Sequence, residues 1–355
     1  MSTAENGLGR IAIGVGTQFN TLQQQGIDLN GQPGTDFFKV PQPQVFPASS
    51  NAGTSGLPSV NIADASQLTT DNYRLSYAGS SGWTLTDTTT NQPVSMTGSG
   101  TSASPYTAAG LHIVVPTNVS AGDNFTIEPT TYAARDLSLN LTNSRQIAAA
   151  SVVASTATQA NAGNATISSP TLTAAAGSVN TTSVNLTISG NPPNTWTATD
   201  AANGTTLSSG AYSQTNGATI ALNGWSVNLS GGAQTGDSFT VSGTGPGDNG
   251  NALRMAASQQ QNLLENGGSG ATATFGAAYS QLVAQVGTET QAAQTSAKTN
   301  QALLNQATAL QQSISGVNLD QEAANLLKYQ QAYQASAKVI ATANSLFKTL
   351  LQAVQ

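Results

Sequence analysis

In this chain of 355 residues only 7% are Asp, Glu, Lys or Arg and none is Cys, against roughly 25% charge in an ordinary soluble domain; that excludes a disulfide frame, a thiolate metal site and a cysteine nucleophile. Ten basic residues against sixteen acidic ones give a net charge of −6, too little positive surface to follow a phosphate backbone, so nucleic acid is not an expected partner. No apolar run reaches the eighteen or so residues of a spanning helix, so no membrane partner is expected, and residues 1–7 have neither the basic nor the apolar part of a Sec-type signal.

The length suits two or three domains. Residues 8–25 place Leu8, Ile11, Val15, Phe19 and Leu22 at steps of three and four, one face of an amphipathic helix. Gly14 and Gly16 weaken it or let another backbone come close, and Gly26 closes it. Asn30-Gly31 and Pro33-Gly34 read as turns before the aromatic pair Phe37-Phe38, and residues 41–58, rich in Pro, Ser and Gly, read as an extended connector. Residues 1–60 are therefore assigned to a helical rod.

The period then changes to two. Tyr73, Leu75 and Tyr77 alternate, as do Leu111, Ile113 and Val115, and Phe125 and Ile127, which predicts an antiparallel β domain over 61–140. A second β domain is expected over 171–246, and the two are related by an internal repeat. GLHIVVPTNVSAGDNFTIEP from Gly110 aligns without gaps on GWSVNLSGGAQTGDSFTVSG from Gly224, and Leu75 to Gly79 before Trp83 matches Leu186 to Gly190 before Trp196. The Gly-Asp pairs 122–123 and 236–237 each predict a tight turn ahead of a strand. Both Trp side chains are expected in the cores, since they fall at one place in two copies of a scaffold. Residues 141–170 read as a connecting segment.

Beyond the second β domain, residues 252–266 are expected to be helical with Leu253, Ala256, Ala257, Gln260 and Leu264 on one side. After a break at 267–270, a long polar helix is expected over 272–314, its apolar stripe starting Phe275, Tyr279, Leu282, Val286. Gly316 separates it from a terminal helix over 315–355. There every seventh residue is apolar: Leu319, Leu326, Tyr333, Ile340, Phe347 and Val354, with Ala323, Ala337 and Leu351 beside them. Asn318 is a candidate N-cap, and Asp320 and Glu322 suit the positive end of the helix. Burying six large side chains contributes ~10–15 kcal/mol, whereas ordering some thirty backbones costs ~1–2 kcal/mol each, so this helix is expected to need a partner helix. Spacing alone is equally compatible with a partner in its own chain; the terminal position favours another chain. The fold class expected is multidomain α+β, with helical rod segments from both ends and two inserted, repeat-related antiparallel β domains.

Chemistry finds little support. His112, the one histidine, alternates to the face opposite Leu111 and Ile113 and has no partner for a zinc site. Asp123, Glu128, Asp237 and Asp248 lack the dense spacing of a calcium loop and suit turns instead. No catalytic or cofactor motif is present, so no enzyme, cofactor or metal is expected.

SGVNLDQEAANLLKYQQAYQASAKVIATANSLFKTLL (residues 315–351) resembles the C-terminal signature of bacterial flagellar axial proteins. Residues 8–38, LTNSRQIAAAS (141–151) and GDNGNALRMAASQ (247–259) resemble the hook–filament junction members rather than hook protein or flagellin. The resemblance implies an extracellular structural subunit, exported unfolded by the flagellar type III apparatus and assembled as a ring. Its implied partners are hook protein, hook-associated protein 3, copies of itself in the full-length form, and an export chaperone. Carried onto this sequence, the assembly and chaperone contacts fall on Leu326, Tyr329, Tyr333, Ile340, Phe347, Leu350 and Leu351. Family members begin with a long helical region that pairs with the terminal helix; this chain starts past it and is expected to be monomeric. The alternative reading, from the repeated Trp and the Ser/Thr/Asn-rich turns, is a carbohydrate- or surface-binding β module of a secreted protein.

Overall fold

The computed structural model describes residues 2–52, 56–266, 270–316 and 318–353. Val354, the last member of the seven-residue column, lies outside them. The chain has an α+β architecture and falls into two units, Met1–Val286 and Gly287–Gln355.

In the first unit the helix α1 (Ser2–Gln24) buries Ile13 and Leu22. Its glycines mark close approaches. A Cβ on Gly14 would stand 2.7 Å from Leu264 Cδ2, and one on Gly16 2.9 Å from Val40 Cγ2. A short turn of helix, α2 (Ala133–Asp136), and α3 (Gly250–Ala257) belong to the same body.

Two β-sandwiches are inserted into it. In the first, the strands Gln44–Pro47, Asn124–Glu128, Tyr73–Tyr77, Trp83–Asp87 and Pro93–Val94 form one antiparallel sheet in that spatial order. A second sheet of Ser59–Ile62, Leu111–Val114 and Tyr106–Ala108 covers it. Leu75, Leu85, Leu111, Ile113, Phe125 and Ile127 fill the space between, joined by Ile13 of α1 and Ala133 of α2. The second sandwich repeats the plan with Val153–Ala157, Ser238–Gly243, Val184–Ser189, Thr195–Asp200 and Thr206–Ala211. Its covering sheet centres on Trp225–Ser230, paired with Ala218–Leu222, Thr166–Ile167 and Thr171–Leu172.

The repeat extends to single hydrogen bonds. Phe125 pairs with Leu75 as Phe239 pairs with Leu186, and Tyr77 with Trp83 as Ile188 with Trp196. Gly122 and Gly236 both take positive φ, +100° and +96°, in the turns the Gly-Asp pairs predict. Asp123 accepts from Ser120 N and Ala52 N; Asp237 accepts from Gln234 N and Ala162 N. Asn51 exchanges two hydrogen bonds with the backbone of Asn124, and Asn161 does the same with Ser238. Asp237 is buried, which opposes its charge, but the N–H groups of Gln234, Ala162 and Gly163 outweigh that and hold its pKa below the ordinary 3.8.

Four sequence expectations need correcting. Gln44–Pro47, in the stretch read as a connector, is a strand of the first sandwich. Val153–Ala157 and Thr166–Ile167, in the segment read as a link between domains, are strands of the second. Gln44–Pro47 and Val153–Ala157 are edge strands that need only one paired flank, so neither carries a full apolar alternation. The helix expected over 252–266 ends at Ala257 and continues as a 3-10 turn, Ser258–Gln260. Its buried side is Asn251, Met255 and Ser258; Leu253, Ala256, Ala257 and Gln260 are exposed, and Leu264 is buried beyond the helix. The cause is Asn251, whose Nδ2 donates to Leu22 O and Ala148 O, 2.7 Å each, and so turns a polar residue inward. The start of α4 (Phe275–Ser315) packs through Ala278 and Leu282, with Tyr279 and Val286 exposed.

The second unit holds the remainder of α4 and the helix α5 (Leu319–Ala353). Every side chain described in it is exposed.

Candidate functional site: the terminal helix

The break before α5 is set locally. Gly316 N donates to Gln312 O at 2.7 Å to end α4. Asn318 then caps α5, its Oδ1 accepting from Asp320 N at 3.1 Å and from Gln321 N at 3.3 Å. Asp320 and Glu322 lie in the first turn, where the helix dipole favours carboxylates. From there α5 runs for 35 residues without Pro or Gly.

All seven residues carried over from the resemblance lie on this helix, and all are exposed. Tyr333 is 78% accessible and Phe347 65%, with Leu326, Tyr329, Ile340, Leu350 and Leu351 in the same range. Leu326, Tyr333, Ile340 and Phe347 recur at seven residues, while Tyr329 and Leu350 stand three residues after Leu326 and Phe347 and Leu351 stands four after Phe347. The result is an apolar edge along the whole helix. Nothing in the described part of this unit covers it.

His112 is exposed on its strand, on the face opposite Leu111 and Ile113. Among the described residues no three of His, Cys, Asp or Glu come together, and no helix is long and apolar enough to cross a membrane. Trp196 is buried; Trp83 is half-buried, its ring 5.0 Å from Tyr77 and 6.1 Å from Phe125.

Three stretches singled out by resemblance meet in the first unit. Gln23 in α1 donates to Gln146 O at 2.6 Å and accepts from Ala148 N at 3.1 Å. Asn251 links α3 to both neighbours through the bonds already described, and Arg254 Nη2 reaches Gln25 Oε1 at 2.5 Å. Asn143 and Gln146 cap the intervening turn reciprocally. These polar residues build the body at the end of α1. Periodicity cannot find them, because a buried amide that bridges backbones leaves no apolar spacing.

Residues 310–353, which include all of α5, match the model of the C-terminal region of flagellar basal body rod FlgEFG proteins. Residues 1–38 match the helical domain of flagellar hook-associated protein FlgK, and residues 46–129 the D2-like domain of flagellar hook-associated protein 1. Flagellar hook-associated protein 1 of Salmonella typhimurium strain LT2 is 26% identical over 351 residues, which is 99% of this chain and 47% of that protein. The chain is similar to flagellar hook-associated protein 1 over nearly all of its length.

The hook-associated protein 1 of Escherichia coli K12 is 25% identical over 99% of this chain and 46% of its own length. The chain thus spans about half the length of the curated relatives it matches. The solved flagellar hook junction protein FlgK from Burkholderia pseudomallei superposes with a TM-score of 0.71 at 29% identity, over 88% of this chain and 60% of that one. Its likeness to hook-associated protein 1 reaches beyond α5 to α1 and the first sandwich.

Proposed function

We propose that this chain is a structural, non-catalytic subunit of the bacterial flagellum that joins hook to filament and assembles through its terminal helices. The observation that carries the reading is the exposed apolar edge of α5, which falls inside the match to an axial-protein C-terminus. An isolated helix of that kind is costly. Ordering 35 backbones costs ~1–2 kcal/mol each, and with no large side chain covered the compensation must come from a partner helix. The reading places the protein outside the cell, on the flagellum. Its partners are hook protein, hook-associated protein 3, an export chaperone and further copies of the full-length subunit. Leu326, Tyr329, Tyr333, Ile340, Phe347, Leu350 and Leu351 make the assembly and chaperone contacts.

The test is Tyr333→Asp with Phe347→Asp in the flagellated cell. The expected result is loss of chaperone pull-down and hooks that carry no filament; normal filaments and unchanged pull-down would remove the reading. The β-module alternative needs an exposed aromatic platform. The burial of Trp196 and the packing of Trp83 against Tyr77 and Phe125 argue against one.

A further inference from the structure

The two sandwiches share one plan but not one relation to the helical body. The core of the first contains Ile13 from α1 and Ala133 from α2, both nearly inaccessible. Among the described residues, the buried core of the second is drawn wholly from Val152 to Val241, while Ile27 packs at its edge and Pro33 lies near Gly177. Its entrance and exit meet: Val153 pairs with Gly243, and Thr244 N donates to Val152 O at 3.2 Å. Just outside that pair, Asp248 accepts from Ser151 N at 2.8 Å and Gly250 N at 2.9 Å and fastens the two chain ends together.

We infer that residues 152–243 are an autonomous folding unit, a second copy of the first sandwich set into the body through one pair of adjoining strand ends and removable without unfolding the rest. The physical ground is that cooperativity follows shared burial. A core that takes side chains from α1 must melt with α1, while a core that takes none opens by itself. Closely spaced ends also let a short turn replace the insert with little loop-closure cost. The inference stands apart from the flagellar reading, since it uses only the cores and the junction.

Hydrogen exchange read by mass spectrometry on the whole chain tests it. Phe239→Ala, in the second core, is expected to speed exchange at least tenfold in strands 184–189 and 238–243 and to leave strands 73–77 and 124–128 and α1 within twofold of wild type. Phe125→Ala, the matching change in the first core, is expected to speed 73–77, 124–128 and α1 together and to spare 184–189. Parallel acceleration of both sandwiches in either variant overturns the inference. A chain in which Ser151 is joined to Thr244 by Asn-Gly is expected to keep the wild-type protection of α1 and of strand 73–77; loss of that protection also overturns it.

Discussion

Gly9 of α1 lies against the backbone of Thr130 so closely that a Cβ placed on it would stand 1.8 Å from the Thr130 carbonyl oxygen. Gly7, two residues earlier, would meet Leu282 Cδ1 at 2.5 Å. The two contacts differ in kind. A leucine tip can rotate away, whereas the Thr130 carbonyl belongs to the backbone that leads from the first sandwich into α2. Gly9→Ala is therefore expected to cost about 1–3 kcal/mol or more, and Gly7→Ala clearly less, since there the helix-propensity gain offsets a clash that can relax. Urea unfolding of the two variants side by side checks the order.

The same turn is built with different residues in the two sandwiches. Ala109-Gly110 and Asn223-Gly224 both take positive φ at both positions, 48° and 76° against 55° and 87°. Asn tolerates the left-handed region, and Ala pays its Cβ clash there. Ala109→Asn is expected to stabilise the first sandwich by about 0.5–1 kcal/mol, read as a higher urea midpoint. A lower midpoint would mean that the half-buried site at Ala109 rejects the larger side chain.

Asp237 ties the second sandwich to acid. Its folded pKa lies below the ordinary 3.8 because three backbone N–H groups outweigh its burial. A depressed carboxylate contributes stability that is fully present above the unfolded value and is lost as pH falls through the folded one. The second sandwich should accordingly weaken as pH drops below about 4. Asp237→Asn is expected to cost about 1–3 kcal/mol at pH 7 and to flatten that acid limb, seen by chemical denaturation at pH 7, 4 and 3. A variant that keeps the wild-type slope would assign the acid sensitivity to another group.

Tyr333→Asp with Phe347→Asp should be silent in the isolated chain. Both side chains are exposed, and exposed substitutions usually change stability by no more than about 0.5 kcal/mol. The thermal midpoint of the first unit is expected to stay unchanged while flagellar assembly is lost. A clear fall in that midpoint would show that α5 is already packed in solution.

Much of this fold could be read from residues alone, and the failures have a common physics. The strands around Leu75, Ile113 and Phe125 bury one face, so alternation marks them, and the Gly-Asp turns repeat because a positive φ and a buried carboxylate are hard to supply otherwise. Asn318 and the column from Leu319 to Phe347 are equally plain, since a helix with a single apolar edge writes its period into the sequence. Val153–Ala157 went unread because an edge strand is held mainly by backbone bonds. The Asn51-Ala52-Gly53 and Asn161-Ala162-Gly163 triplets carry the signal that the repeat starts earlier, but three residues in an Asn- and Gly-rich chain stand out poorly. Asn251 and Gln23 escaped for the opposite reason: they are buried polar groups, and hydrophobic periodicity points away from them.

The likeness of the two sandwiches has a cost during folding. Ala48 N reaches Asn124 O at 3.0 Å, and Thr158 N reaches Ser238 O at 3.1 Å, so the first strand of each copy is received by the same main-chain pattern. Main-chain groups do not recognise which copy they meet, and a chain that folds from an extended state could thread either segment into either slot, the error that produces swapped tandem domains. Val45, Phe46 and Pro47 in one copy stand where Ser155, Thr156 and Ala157 stand in the other, so the two segments differ in side chains where their main-chain pairing is alike. Substitutions that made these segments more alike would raise the yield of mispaired chains even where each sandwich, once formed, was as stable as before.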